Sequence, residues 1–317
     1  MRVLVTGACG YKGSVLIPKL LAADLEVVAF DIMWFGNHLN PNECLEVVEG
    51  DIRDTDTVPL HSVDVIIHLA SVANDPCGDL DPKLTWETSC LATMRLADKA
   101  ARAGVPHFIY ASSGSVYGLK EEDRVTEDLE LVPLSEYNKT KMVAERVLLS
   151  YSDRMVVQVV RPATVCGLSP RMRLDVAVNL LTAQALSTGE ITVLGGRQTR
   201  PNIHIDDITD LYLFLLERPE ISGIFNAGFE NLSIMEIANL VADVSGAKIR
   251  VEPSNDPRSY RVNSDKILAT GFSPKKSVRH AIREIEEAFR HGWLRDIDQH
   301  YNLKWMQKTL YAKRASR

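Results

Sequence analysis

With 317 residues, 45% of them hydrophobic and 25% charged, the chain has the make-up of an ordinary globular protein with room for one large domain or two joined ones. A formal net charge of −6 gives no electrostatic attraction to nucleic acid or to an anionic membrane surface, and no partner of either kind is expected. Five scattered cysteines (Cys9, Cys44, Cys77, Cys90 and Cys166) form no CxxC pair and suit neither a disulfide framework nor a zinc site, so a reducing, cytoplasmic setting is expected; no run approaches the ~20 apolar residues of a bilayer span.

The first predicted strand, RVLVTG, leads into the turn TGACGYKGS, which puts glycines at Gly7, Gly10 and Gly13. Glycines at a strand-to-helix turn let backbone N–H groups and the positive end of the helix dipole approach a pyrophosphate. A tight structural turn needs glycine too, so context decides. The helix VLIPKLLAAD follows, with Pro18 expected to remove one hydrogen bond and bend it. The second strand, EVVAFD, ends in Asp31, about 20 residues on. A carboxylate there accepts from a ribose 2′-hydroxyl and repels a 2′-phosphate, favouring NAD over NADP. Lys12, beside the last glycine, is expected to snorkel its ammonium to solvent along the helix, the alternative being a charge beside the cofactor.

The strands LEVVEGD, DVIIHLA, HFIYASS and VVQVVRP follow, separated by the helical stretches WETSCLATMRLADKAARAG and YNKTKMVAERVLLSYSD. Near-continuous apolar strands are expected where helices cover both sheet faces. The fold class is therefore α/β: a Rossmann-like, doubly wound parallel sheet over residues 1–165, with a smaller mixed α/β substrate-binding lobe over 166–317 from which some segments return to the first domain. The turn-rich stretch ANDPCGDLDPKLTWE follows the fourth strand, at whose carboxyl end ligands of such sheets collect. His68 and His204 lie on apolar strands and read as core imidazoles; no metal is expected.

In YNKTK, Tyr137 and Lys141 are four residues apart and leave the same helix face. A phenol titrates near pH ~10 and is a poor base at neutrality, but an adjacent ammonium stabilises the phenolate. General-base strength near neutral pH follows. Ser113 lies one strand earlier, with Ser112 beside it as a packing residue.

Taken in order, TGACGYKG, GDIRD, HLAS, SSGSVYG, YNKTK, RPATVCG, RPNIHIDD and DPRSYRVNSDK resemble the motif series of the extended short-chain dehydrogenase/reductase family, in its nucleotide-sugar epimerase, dehydratase and reductase branch. The resemblance implies NAD as cofactor, contacted by Gly7, Gly10, Tyr11, Lys12, Gly13, Asp31, Asp51, Ile52, Leu69, Ala70, Ser71, Tyr137, Lys141 and Pro162. It implies that Tyr137 exchanges a proton with a substrate hydroxyl while hydride moves to or from the nicotinamide, that Lys141 binds the nicotinamide ribose, and that Ser113 bonds the reacting oxygen. A nucleotide-diphosphate sugar would touch Ser113, Ser115, Tyr137, Thr164, Asn179, Arg200 and Arg258, the two arginines matching a family pair that clasps the diphosphate.

Five positions depart from the family pattern. Gly114 and Ser115 stand where its dehydratases carry an Asp-Glu pair, which disfavours 4,6-dehydration. Thr164 replaces an asparagine of related 4-epimerases, Cys166 a frequent tyrosine, and Lys12 an apolar residue. The expected activity is that of an NAD-dependent nucleotide-sugar 4-epimerase. A dehydrogenase or 4-keto reductase and a catalytically inactive cofactor-binding scaffold are its rivals. The helices containing Trp86–Ala103 and Tyr137–Tyr151 are expected to pair with those of a second copy in a homodimer.

Overall fold

The computed structural model describes residues 1–254 and 259–311, so Arg258 lies outside the described residues. The described strands are β1 (Arg2–Thr6), β2 (Glu26–Asp31), β3 (Leu45–Glu49), β4 (Val65–His68), β5 (His107–Ala111), β6 (Val156–Pro162), β7 (Thr164–Cys166), β8 (Glu190–Leu194), β9 (Thr199–His204), β10 (Gly223–Ala227), β11 (Glu230–Ser233) and β12 (Lys248–Glu252). The chain forms two compact units. One comprises Met1–Val116, Leu131–Arg161 and Thr209–Phe225; the other comprises Tyr117–Glu130, Pro162–Ile208 and Asn226–Arg317.

The first unit is built on a seven-stranded sheet in the order β10-β6-β5-β4-β1-β2-β3. Val3 of β1 lies opposite Val27 of β2 on one side and Val65 of β4 on the other, all parallel. Strand order therefore reverses between β1 and β4, which opens a crevice at their carboxyl ends. Every residue of β4 and β5 is buried, as expected for apolar strands covered on both faces. The edge strand β3 differs: it is largely exposed, and Val47 faces solvent, because β3 has only β2 as a neighbour.

One helix continues through its proline, and one departs from its sequence reading. The Gly13–Ala22 helix runs without interruption through Pro18, which occupies an exposed position. The stretch expected as one helix from Trp86 is divided into Pro82–Trp86, a wider π-type turn at Glu87–Leu91, and Ala92–Ala103. Within the wide turn the Ser89 hydroxyl accepts the Val72 N–H at 3.1 Å and lies 2.9 Å from Ser71 Oγ, a side-chain engagement of the kind that accompanies such bulges. Gly104, at φ 74°, then ends the helix in the left-handed conformation that glycine adopts without penalty. Leu4, Val28, Ile66, Phe108, Leu96 and Leu148 join sheet and helices in one apolar core.

The second unit is mixed. β7 runs parallel and β11 antiparallel to β9, while β8 and β12 form a separate parallel pair. The helices Ala177–Thr188, Ile234–Ser245 and Val278–Arg290 bury Val178, Leu181, Ile237, Val241 and Ile282 around Ile191. Among the described residues no helix is long and apolar enough to cross a membrane.

His68 closes β4 as a core imidazole, with Nδ1 2.6 Å from Thr6 Oγ1 and Nε2 2.9 Å from Thr93 Oγ1. Burial, and secondarily the Lys141 charge, push its pKa down to about 3. Between that value and the ordinary ~6.5 the unfolded chain binds a proton that the folded chain refuses, so this group costs stability as pH falls. In urea titrations between pH 6 and 4, wild type is expected to lose stability more steeply than His68→Gln, by up to ~1.4 kcal/mol per pH unit. Equal slopes would remove His68 as a source of acid sensitivity.

Candidate active site

The glycine turn after β1 is shaped by two different demands. A Cβ on Gly7, at φ 71°, would fall 2.6 Å from Ala70 N, and one on Gly13 would fall 2.3 Å from Ala8 O. The chain's own packing excludes side chains at both. Gly10 is different: a Cβ there would meet only Gly7 O, at 3.2 Å. Its bare side is open, the condition for close approach by a ligand. Tyr11 is buried beside it. Asp31 braces the turn, with Oδ2 accepting the Cys9 N–H at 2.9 Å and Oδ1 the Met33 N–H at 2.7 Å.

Leu69 and Ala70 continue β4 against the turn, the Leu69 N–H bonding Thr6 O at 2.9 Å. Ser71 donates to Val72 O at 3.1 Å. Ile52 is part of the core, whereas the neighbouring Asp51 receives the Arg53 guanidinium, with Nη2 at 2.6 Å. Burial alone would raise the Asp51 carboxyl, but the Arg53 fork outweighs it and holds the pKa below the usual range.

Ser135 starts the Glu136–Leu149 helix by accepting the Asn138 N–H at 3.2 Å, and donates its own proton to Asp75 at 2.8 Å. Tyr137 is pressed against Gly78, where an added Cβ would come within 2.9 Å of the tyrosine Cβ. One turn on, the Lys141 ammonium is buried. It donates to Ala111 O at 2.8 Å and lies 4.9 Å from the Tyr110 ring centre and 5.8 Å from that of Tyr137. Its two other N–H positions make no hydrogen bond among the described residues. Burial pushes the Lys141 pKa well below its ordinary value, the Lys12 charge lowers it further, and Glu145 opposes both.

Glu145, a further turn along, is itself buried. It accepts Arg161 Nε at 3.0 Å, Arg161 Nη2 at 2.7 Å and the Ser112 hydroxyl. Ser113 at the carboxyl end of β5 lies 2.7 Å from Ser115 Oγ, and Ser115 donates to Asn138 Oδ1. Ser113, Ser115, Tyr137 and Lys141 are thus brought to the same end of the sheet as the glycine turn. Pro162 closes β6 directly after Arg161.

Lys12 does not run to solvent as its sequence position suggests. It is half-buried, with Nζ 3.4 Å from Tyr212 Oη and 5.8 Å from that ring's centre. The tyrosine comes from the Ile205–Leu216 helix and offers the ammonium both a hydroxyl acceptor and a π face.

In the second unit, Thr164 of β7 is half-buried opposite Asn202 of β9. The Cys166 thiol is buried and bonds Ile203 O at 3.5 Å, burial raising its pKa. Arg200 of β9 lies opposite Leu232 and reaches Thr199 O at 3.2 Å. Asn179 is spent on backbone: Oδ1 accepts the Gly167 N–H at 3.0 Å and Nδ2 donates to Arg173 O at 2.8 Å. His204, Asp206 and Glu284 converge as metal ligands might, but Lys276 Nζ sits 2.8 Å from Asp206 and 2.5 Å from Glu284 and supplies the positive charge there.

Residues absent from the sequence reading carry much of this geometry: Asn138, Glu145, Arg161, Tyr110 and Tyr212. Only Glu145 has a visible signal, since it continues the four-residue spacing of Tyr137 and Lys141.

A doubly wound sheet with such a turn after its first strand defines a dinucleotide-binding protein. The sequence matches the NAD dependent epimerase/dehydratase family over residues 3–228, and the chain belongs to that family. It is 30% identical to the UDP-glucose 4-epimerase of Mycolicibacterium smegmatis over 311 residues, covering 92% of this chain and 99% of the relative. It is 29% identical to UDP-glucuronic acid decarboxylase 1 of Arabidopsis thaliana, covering 93% and 71%. The solved Thermus thermophilus UDP-glucose 4-epimerase in complex with NAD superposes with a TM-score of 0.80 at 25% identity, covering 92% and 99%. The chain is accordingly an NAD-dependent enzyme of this family. The open side of Gly10 and the spare donors of the buried Lys141 fit that cofactor.

Tyr110 provides an independent check on the floor beneath Lys141. Its hydroxyl is buried without a hydrogen-bond partner among the described residues, although its ring faces the ammonium. Tyr110→Phe keeps the ring and removes the unsatisfied group, so denaturation is expected to show unchanged stability or a gain of up to ~1 kcal/mol. A loss above that size would reveal a partner for the hydroxyl.

Proposed function

We propose that this chain is an NAD-dependent nucleotide-sugar 4-epimerase. The observation carrying this reading is the cluster of Tyr137, the buried Lys141 and Ser113 beside the open glycine turn, combined with Gly114 and Ser115 where an elimination would need an acid and a base.

Tyr137, kept ionisable by the Lys141 ammonium, takes the proton of the sugar C4 hydroxyl. When bound, NAD supplies the acceptor for the C4 hydride and later its donor. Once the 4-keto sugar has turned its other face, Tyr137 would return the proton to the oxygen at C4, so there is no net oxidation. Lys141, with N–H positions to spare, would hold the nicotinamide ribose. Asp31 and Asp51 contribute to the adenosine side, where the negative charge of Asp31 favours NAD over NADP. Arg200 and Arg258 are assigned to the diphosphate, and Thr164 to the sugar, on their match to the family pattern. Asn179 acts at one remove, by fixing the backbone of Gly167 and Arg173.

Purified protein supplied with a panel of UDP-, dTDP-, GDP- and CDP-sugars is expected to isomerise one of them at C4 without accumulating free NADH. UDP-hexoses come first, because relatives carry UDP-glucose and UDP-glucuronic acid in their names. Stoichiometric NADH with a released keto sugar would instead identify a dehydrogenase, and inertness toward every sugar a scaffold. Tyr137→Phe should lower turnover by ~100-fold or more; unchanged turnover would remove it as proton carrier. Leu91 and Met94 are exposed apolar residues of the segment expected to meet a second copy. A homodimer should therefore sediment at micromolar concentration, and a monomer there would refute the pairing.

A further inference from the structure

Lys12 stands in the glycine turn where the family pattern has an apolar residue, and the fold brings its charge to the reacting end of the site. Thr6, His68 and Tyr110 lie side by side on β1, β4 and β5. The turn that follows Thr6 and the Ala111 carbonyl that holds Lys141 therefore leave the same edge of the sheet, two strand spacings or about 10 Å apart. Tyr212, fully buried, holds the Lys12 ammonium from the Ile205–Leu216 helix. Burial raises the Tyr212 pKa and the Tyr137 phenol raises it further. The two tyrosines are thus electrostatic neighbours, and Tyr212 stays a neutral hydroxyl that does not cancel the charge it holds.

Among the described residues of this unit, the other groups around Tyr137 and Lys141 are neutral, ion-paired or hydrogen-bonded. Burial keeps His68 on β4 neutral, and Tyr110 on β5 and Cys90 on the wide turn are buried with raised pKa values. Glu145, one turn along the helix, is matched by Arg161 of β6. Asp75 and Asp79 of the Asp75–Leu80 helix accept from Ser135 and from the Glu136 N–H, and Glu136 is taken by Lys139 and Trp86.

We propose that Lys12 is a positioning residue of this active site, whose ammonium sets the pH range over which the Tyr137–Lys141 pair can take up the proton of the reaction. This rests on the epimerase reading above, in which Tyr137 carries that proton. The phenol and the neighbouring ammonium titrate as a pair, and the form that works as a base is the one from which a single proton has gone. A positive charge nearby repels protons from both groups, so it lowers both steps together. Lys12 therefore brings the first proton off at a lower pH, nearer neutrality, and brings the loss of the second down with it. Lys141 shows that sign, burial lowering its pKa first and Lys12 next.

The test uses the full chain saturated with NAD and takes two readouts against pH. One is the ultraviolet absorbance of the phenolate, as the difference from Tyr137→Phe in the same background. The other is kcat/KM with a nucleotide sugar that the wild type isomerises. Lys12→Met and Lys12→Gln remove the charge, and each should move the phenolate step and both limbs of the rate profile to higher pH by about half to one pH unit. Lys12→Arg keeps the charge and should keep the wild-type limbs. A lysine that served packing or cofactor affinity alone would lower turnover with the limbs in place. Limbs or a phenolate step that stay put in both neutral variants, or a Lys12→Arg shift equal to theirs, overturn the proposal while leaving the epimerase intact. The absorbance titration needs no sugar, so it decides the role of Lys12 even where no nucleotide sugar is isomerised, a result that counts against the epimerase reading alone.

Discussion

The first unit depends on a carboxylate that water never reaches. Glu145 is buried and receives the Arg161 fork and the Ser112 hydroxyl, so three elements, the Glu136–Leu149 helix, β5 and β6, are tied at one point. A pair of this kind is no strong source of net stability, because desolvation offsets most of the attraction. Breaking it by removing one partner nevertheless costs about 3–5 kcal/mol, since an uncompensated charge is left inside. It therefore fixes how the helix lies on the strands. Tyr137 and Lys141 sit on the same face at two multiples of four residues before it, and their position over the sheet follows from its anchoring.

That anchoring also explains how an ammonium can be buried at Lys141. Desolvation disfavours its charge, and Lys12 disfavours it further, while Glu145 below and the Tyr110 ring beside it favour it. A lysine with one carbonyl acceptor and a lowered pKa in a dry site is expensive as structure and useful as chemistry. The same economy appears in the turn. Gly7 and Gly13 are bare because the protein fills the space around them, and Gly10 is bare where the protein does not.

Much of this was legible in the residues. The β-branched runs locate β1, β2, β4, β5 and β6 closely, because strands covered on both faces leave near-continuous apolar segments. β3 has the same composition and a different environment, since no local pattern says which strand will lie at an edge. Tyr137, Lys141 and Ser113 stand out by spacing and order. Lys12 is misread because its direction depends on Tyr212, which is distant in sequence and carries no pattern of its own. Asn179 looks like a ligand residue by position, yet its two amide ends are both committed to backbone, which only the folded chain can reveal. Glu145 and Arg161 are ordinary charges in a sequence until the fold buries them together.

Comparing two buried polar groups shows what separates support from function. Near the amino ends of β5 and β6, Gln158 gives Oε1 to His107 and Nε2 to the carbonyls of Leu215, Arg218 and Ile221. Both ends of that amide are answered by the protein, and it has nothing left to offer a ligand. At the carboxyl ends, Lys141 keeps N–H positions and Gly10 meets only Gly7 O. Incomplete satisfaction of buried groups is costly unless something else completes it. Gln158 accordingly serves as foundation, whereas the spare N–H positions of Lys141 leave something for a ligand to complete.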